Sequence, residues 1–191
     1  MISEIISSIT SSEAVILLFL QLSAVLIVVY QKKEGRLGGP ISGIKAVWLV
    51  YAITSWFGIP LLMFEISWVF QVLFLSMLIR GVVEVYLCGK KLWKTSYGLL
   101  HNGIQIACIL SGLLFGHLGG AHQFWLWLLL LGFITEVIFV MGFRRQSFKP
   151  SEGVYFVPSG ETGRRLNRLT GLIFAPQYVV WLVLLVSSAM Q

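Results

Sequence analysis

Aspartate is missing altogether from this chain, and charged residues of any kind make up only 12% of it. The first absence excludes mechanisms built on an aspartyl pair or an aspartate-rich metal motif. The second excludes a water-facing domain. Soluble proteins carry about a quarter of their residues charged, and half that density cannot cover the wet surface of a 191-residue fold. Cysteine is scarce as well: Cys88 and Cys108 fall on different apolar segments, where they read as small core hydrophobes and not as a disulfide framework. Internal repeats and low-complexity tracts are absent. So are the P-loop, HExxH, GxSxG and CxxC patterns and the histidine pattern of membrane desaturases. No cofactor and no resident metal are expected.

What is present is apolar. Hydrophobic residues make up 57% of the chain, and they gather into six segments at about 13–30, 46–64, 67–88, 97–118, 123–143 and 171–190. Each is near the ~20 residues that cross a ~30 Å hydrocarbon core as a helix. Backbone groups in lipid must be bonded within their own segment or in a closed barrel, and no stretch alternates as barrel strands do. The expected fold class is therefore all-α: a polytopic integral membrane protein, one domain over 1–191, folded as a six-transmembrane-helix bundle. The first segment is expected to be a retained helix and not a signal peptide. Its flank MISEIISSITSSE is acidic, and QKKEGR follows it with positive charge.

The net charge of +6 is distributed in a way that sets orientation. Lys32, Lys33, Arg36 and Lys45 flank the first loop; Lys90, Lys91 and Lys94 fill the third; Arg144, Arg145, Lys149, Arg164, Arg165 and Arg168 occupy the fifth, at 144–170. With six spans, every basic residue but Arg80 falls on one side. Basic loops stay in the cytoplasm, so both termini are expected outside, with the bacterial cytoplasmic membrane as the expected location. The basic loops meet membrane lipids, and no nucleic-acid partner is expected. In the long loop, ETGRRLNRL is expected to begin the last helix as a basic amphipathic turn, and VYFV is a candidate extended piece at the interface. Gly112, Gly116 and Gly120 repeat at four-residue spacing, which lets helix backbones approach closely. Pro60 and Pro176 lie inside segments.

The anomaly is LIRGVVEVYL, residues 78–87, which carries Arg80 and Glu84 in an apolar run. They are four apart on one helical face and are expected to pair. Charges at depth are expensive, and they usually face a bundle interior or a cavity. By a rise of ~1.5 Å per residue, Arg80, Glu84, His101, Asn102, Gln105, Glu136 and Gln177 fall in one layer beneath the cytoplasmic face, with Tyr51, Ser55 and Tyr178 close by. The expected catalytic groups are Glu136, Glu84 and His101, and the expected substrate-binding groups are Arg80, Asn102, Gln105 and Gln177. Glu136 has no basic residue at i±3 or i±4 on its own helix, which makes it the expected proton donor. Glu84, beside Arg80, is expected to stay ionised and to orient His101 or bind substrate. A metal on His101, Glu84 and Glu136 is a lesser alternative without supporting spacing. His117 and His122 sit at the outer rim and receive no role. The leading function is a membrane-embedded enzyme doing acid-base chemistry on a lipid or isoprenoid-like substrate, by isomerisation, cyclisation or group transfer. The alternatives are a non-catalytic subunit meeting partner membrane subunits, and a small transporter.

Overall fold

The computed structural model describes residues 2–33, 43–90, 92, 95–144 and 161–190. Among them the chain forms seven helices and no strand: α1 (Ile2–Ser7), α2 (Ser11–Lys33), α3 (Gly43–Leu62), α4 (Trp68–Gly89), α5 (Thr95–Phe115), α6 (Gly120–Arg144) and α7 (Glu161–Ala189). Three are long and apolar enough to cross a bilayer, over Ser96–Phe115, Gly120–Ile138 and Leu172–Ala189, and shorter apolar helical stretches cover Ser11–Ser23 and Trp68–Val83. The chain is thus a membrane protein by its helices, and its surface agrees. On α4, Ile79 is 64% and Val82 66% exposed, whereas the Arg80 side chain between them is 11% exposed. Apolar outside and charged inside is the arrangement that lipid imposes and water forbids.

Helices α2 to α7 pack in a closed ring, each on the next, and α7 closes on α2. Helix α3 also touches α6 and α7 across the ring. Helices α4 and α6 are separated by α5, and their backbones do not pack together among the described residues. The core is largely aromatic. Trp56 stacks on Phe133 with ring centroids 4.8 Å apart, and Trp125 meets Trp181 edge-on at 5.6 Å. The depth of Trp56 and Trp181 therefore reflects packing against neighbouring rings.

Local chemistry sets the helix ends. Thr10 caps α2 in a reciprocal box: its backbone N–H donates to Glu13 Oε2 at 2.8 Å, and the Glu13 N–H donates to Thr10 Oγ1 at 3.4 Å. His117 takes a left-handed conformation (φ 46°) in the short turn between α5 and α6, a backbone region that histidine tolerates better than most residues. The glycine stripe divides. A Cβ on Gly112 would lie 2.8 Å from both Val69 methyls and 3.2 Å from Leu126, so this glycine does admit close packing of α5 against α4 and α6. A Cβ on Gly120 would meet nothing within 4 Å, and Gly116 faces its own helix.

Two features depart from the sequence reading. Residues 2–7, expected only as an acidic flank, form α1, which buries Ile5 against α6 and α7. A six-residue helix cannot hold itself together. Here tertiary bonds hold the segment, with Trp125 Nε1 donating to Ser8 Oγ at 2.8 Å and Ser188 Oγ donating to the Ile6 carbonyl at 2.9 Å. These bonds also bring the two ends of the chain to one end of the bundle. The second is that α7 already begins at Glu161 and so includes the ETGRRLNRL stretch, ahead of the expected segment start near 171. The VYFV piece lies outside the described residues.

Candidate functional site: a charged cluster between α4, α5 and α6

Arg80 leaves α4 on the inner face and crosses the gap to α6. Its Nη2 stands 3.1 Å from Glu136 Oε1, forming an ion pair between side chains 11% and 8% exposed. Its Nη1 donates to Asn102 Oδ1 at 2.8 Å. Asn102, on α5 and fully buried, returns a bond from Nδ2 to Glu136 Oε2 at 2.9 Å. Arginine, asparagine and glutamate thus close a three-membered circuit across three helices. The guanidinium supplies donors in a planar fork, and the amide supplies one donor and one acceptor, which is what the circuit requires.

His101 lies on the rim of this circuit. Arg80 Nη1 is 3.3 Å from its Nδ1, and its Nε2 is 3.2 Å from the Ser76 carbonyl. A guanidinium only donates and a carbonyl only accepts, so the proton sits on Nε2, and Nδ1 presents its lone pair to Arg80. Gln105, one turn further along α5, donates to Ser76 Oγ and lies with its amide 3.0 Å from His101 Nε2. Its Oε1 is buried without a partner. The two orientations of an amide are isosteric, and the reversed one would give that oxygen the Nε2–H.

The structure therefore brings together Arg80, His101, Asn102, Gln105 and Glu136, and Ser76, one turn before Arg80 on the same face of α4, joins them. The expected Arg80–Glu84 pair rests on the Glu84 side chain, which lies outside the described residues. Glu136 has no basic residue a turn away on α6, but a basic partner reaches it from another helix. Its partner comes from α4, where spacing along α6 could not reveal it. With Arg80 on one oxygen and Asn102 on the other, both carboxylate oxygens accept hydrogen bonds.

Gln177 belongs to a second polar group. Its Oε1 accepts from Tyr51 Oη at 3.3 Å, and its Nε2 donates to the Ile173 carbonyl at 3.2 Å. Nearby on α3, Ser55 Oγ donates to the Tyr51 carbonyl at 2.6 Å, and Thr54 Oγ1 accepts from Gln21 Nε2. Tyr178 enters this group through its ring, 6.1 Å from that of Tyr51. Gln21 was not singled out from the sequence, although a lone glutamine in LLFLQLSAV was signal enough. Comparison with protein-family models, curated proteins and solved structures finds no match to this chain.

Proposed function

We propose that this chain is a six-span membrane protein with the basic loops in the cytoplasm, and that the cluster around Arg80 performs acid-base chemistry on a lipid or isoprenoid-like substrate. The observation that carries the reading is the position of His101. The ring is only partly buried, between α4 and α5, and it touches the Arg80–Glu136 pair, whose side chains are 11% and 8% exposed, through Arg80. A histidine so placed can exchange a proton with a substrate arriving from the bilayer. Glu136 balances the guanidinium and fixes its plane, and Arg80 in turn fixes the imidazole tautomer. In this arrangement His101, and not Glu136, moves the proton. Arg80 is the group to meet an anionic headgroup.

The test compares lipid extracts of native membranes carrying the wild-type chain or His101→Asn. The expected result is a prenyl or acyl lipid made by the wild type, whose precursor accumulates in the variant at equal protein levels. Identical extracts would overturn the enzymatic reading. A second reading, a non-catalytic subunit of a membrane complex, is favoured by the closure of the Arg80–Asn102–Glu136 circuit on itself, which leaves both carboxylate oxygens engaged. Identical extracts together with a membrane protein that stays bound through purification would establish that alternative.

A further inference from the structure

Trp56, on α3, is 5% exposed, and its indole N–H has no hydrogen-bond partner among the described residues. Stacking on Phe133 fixes the plane of the ring and hence the direction of the N–H. Gly132 of α6 stands in front of it. A Cβ at that position would lie 3.0 Å from Trp56 Nε1 and 3.9 Å from Gln177 Oε1. An unsatisfied donor and an acceptor thus converge on one glycine from α3 and α7, without bonding to each other directly. Gln177 Oε1 accepts from Tyr51 and, as an amide oxygen, has a second lone pair to offer.

Buried indole N–H groups normally find an acceptor. The group that would satisfy both sides must accept from Trp56 and donate to Gln177 through one small atom. A carbonyl accepts but cannot donate. A carboxylate or phosphate would bring a charge to two neutral partners. A hydroxyl does both. We propose that Trp56 and Gln177, across Gly132, bind a hydroxyl group, supplied either by a water molecule or by a membrane alcohol. Glycine at position 132 is part of the site, since any side chain would press on the indole nitrogen. Position 132 lies one turn along α6 from Glu136, so the hydroxyl sits on the same helical face as the carboxylate, between the two polar groups. The site stands whether or not the Arg80 cluster is catalytic.

The test is the indole N–H signal of the full-length chain, labelled with 15N-tryptophan in lipid nanodiscs. The seven tryptophans include an internal reference, because Trp125 Nε1 donates to Ser8 Oγ at 2.8 Å. Loss of a signal in Trp56→Phe, or in Trp56→Tyr should the first variant not fold, assigns the resonance. The Trp56 proton is expected downfield with that of Trp125, as a bonded donor. If water is the occupant, the signal shows a cross peak to water. If an alcohol is the occupant, that cross peak is absent, the signal moves upfield after delipidation, and added farnesol restores it. Gly132→Ala sets its Cβ 3.0 Å from the nitrogen and should abolish either dependence. An upfield, unbonded Trp56 signal that responds to neither water nor farnesol would overturn the proposal. So would a bonded signal in Gly132→Ala that keeps its water or alcohol dependence.

Discussion

Replacing Arg80 by leucine should destabilise the bundle far more than the loss of one surface charge would. The variant leaves Glu136, with a side chain 8% exposed, holding only the bond from Asn102. Removing one partner of a buried ion pair costs about 3–5 kcal/mol, because the charge left behind has neither water nor a counterion. Glu136→Leu removes the carboxylate that stands 3.1 Å from the guanidinium, and its cost should reach up to about 3–5 kcal/mol. Taken independently, the two changes would cost about 6–10 kcal/mol. The double variant removes both members of the pair. What it retains is the unmet need of Asn102, whose Oδ1 and Nδ2 both lose partners, at about 1–3 kcal/mol for each group. The double change should therefore cost about 4 kcal/mol less than the sum of the singles, slightly above the ~3 kcal/mol that contacting residues usually reach. Reversible unfolding by SDS titration in mixed micelles measures all four corners of the cycle. Additivity within about 0.5 kcal/mol would mean that the two residues act independently, and the circuit would lose its energetic meaning. A triple variant that also carries Asn102→Leu should recover part of the residual cost.

Gly112→Ala should cost about 1–3 kcal/mol through overpacking, since its Cβ would lie 2.8 Å from both methyls of Val69. Thermal unfolding of Gly112→Ala with Val69→Ala should show partial recovery, and no recovery would place the strain elsewhere. Thr10→Ala removes the cap of α2 and should cost about 1 kcal/mol. Hydrogen exchange of the amides of residues 11–13 should rise, and unchanged protection would show that packing of α1 alone holds that end. For the six-span topology, Ser3→Cys and Gly160→Cys in a chain lacking Cys88 and Cys108 should label from opposite sides of intact cells, with residue 3 accessible outside. Equal labelling from outside would refute it.

Depth was legible in the sequence and direction was not. The rise per residue of a helix is nearly fixed, so counting inward from the segment ends placed Arg80, His101, Asn102 and Glu136 in one layer, and the structure joins them by direct bonds. Gln105 was legible by the same counting together with its four-residue spacing from His101. Gln177 shares the depth but faces Tyr51, because α7 packs on α3 and not on α4 or α5. Which neighbour a face meets depends on how each helix is rotated and ordered in the ring, and no periodicity encodes that. Helix α1 was invisible for a related reason: six residues held by Trp125 and Ser188 carry no signal of their own.

The partner of Arg80 shows the same limit at the scale of one bond. Within a single sequence the only geometry available is i, i+4 along one helix, and that geometry cannot reach from α4 to Glu136. Yet an arginine side chain is long enough to span the gap between helices whose backbones do not touch, and α4 and α6 are such a pair. Asn102 makes the crossing specific. Its amide bonds Arg80 and Glu136 at once, so the crossing is favourable only where α5 sets an amide at that depth. An asparagine beside a histidine, at the level of an arginine and a glutamate on two other segments, was the available clue to a bond spanning three helices. It reads as such only once the order of the helices around the ring is known.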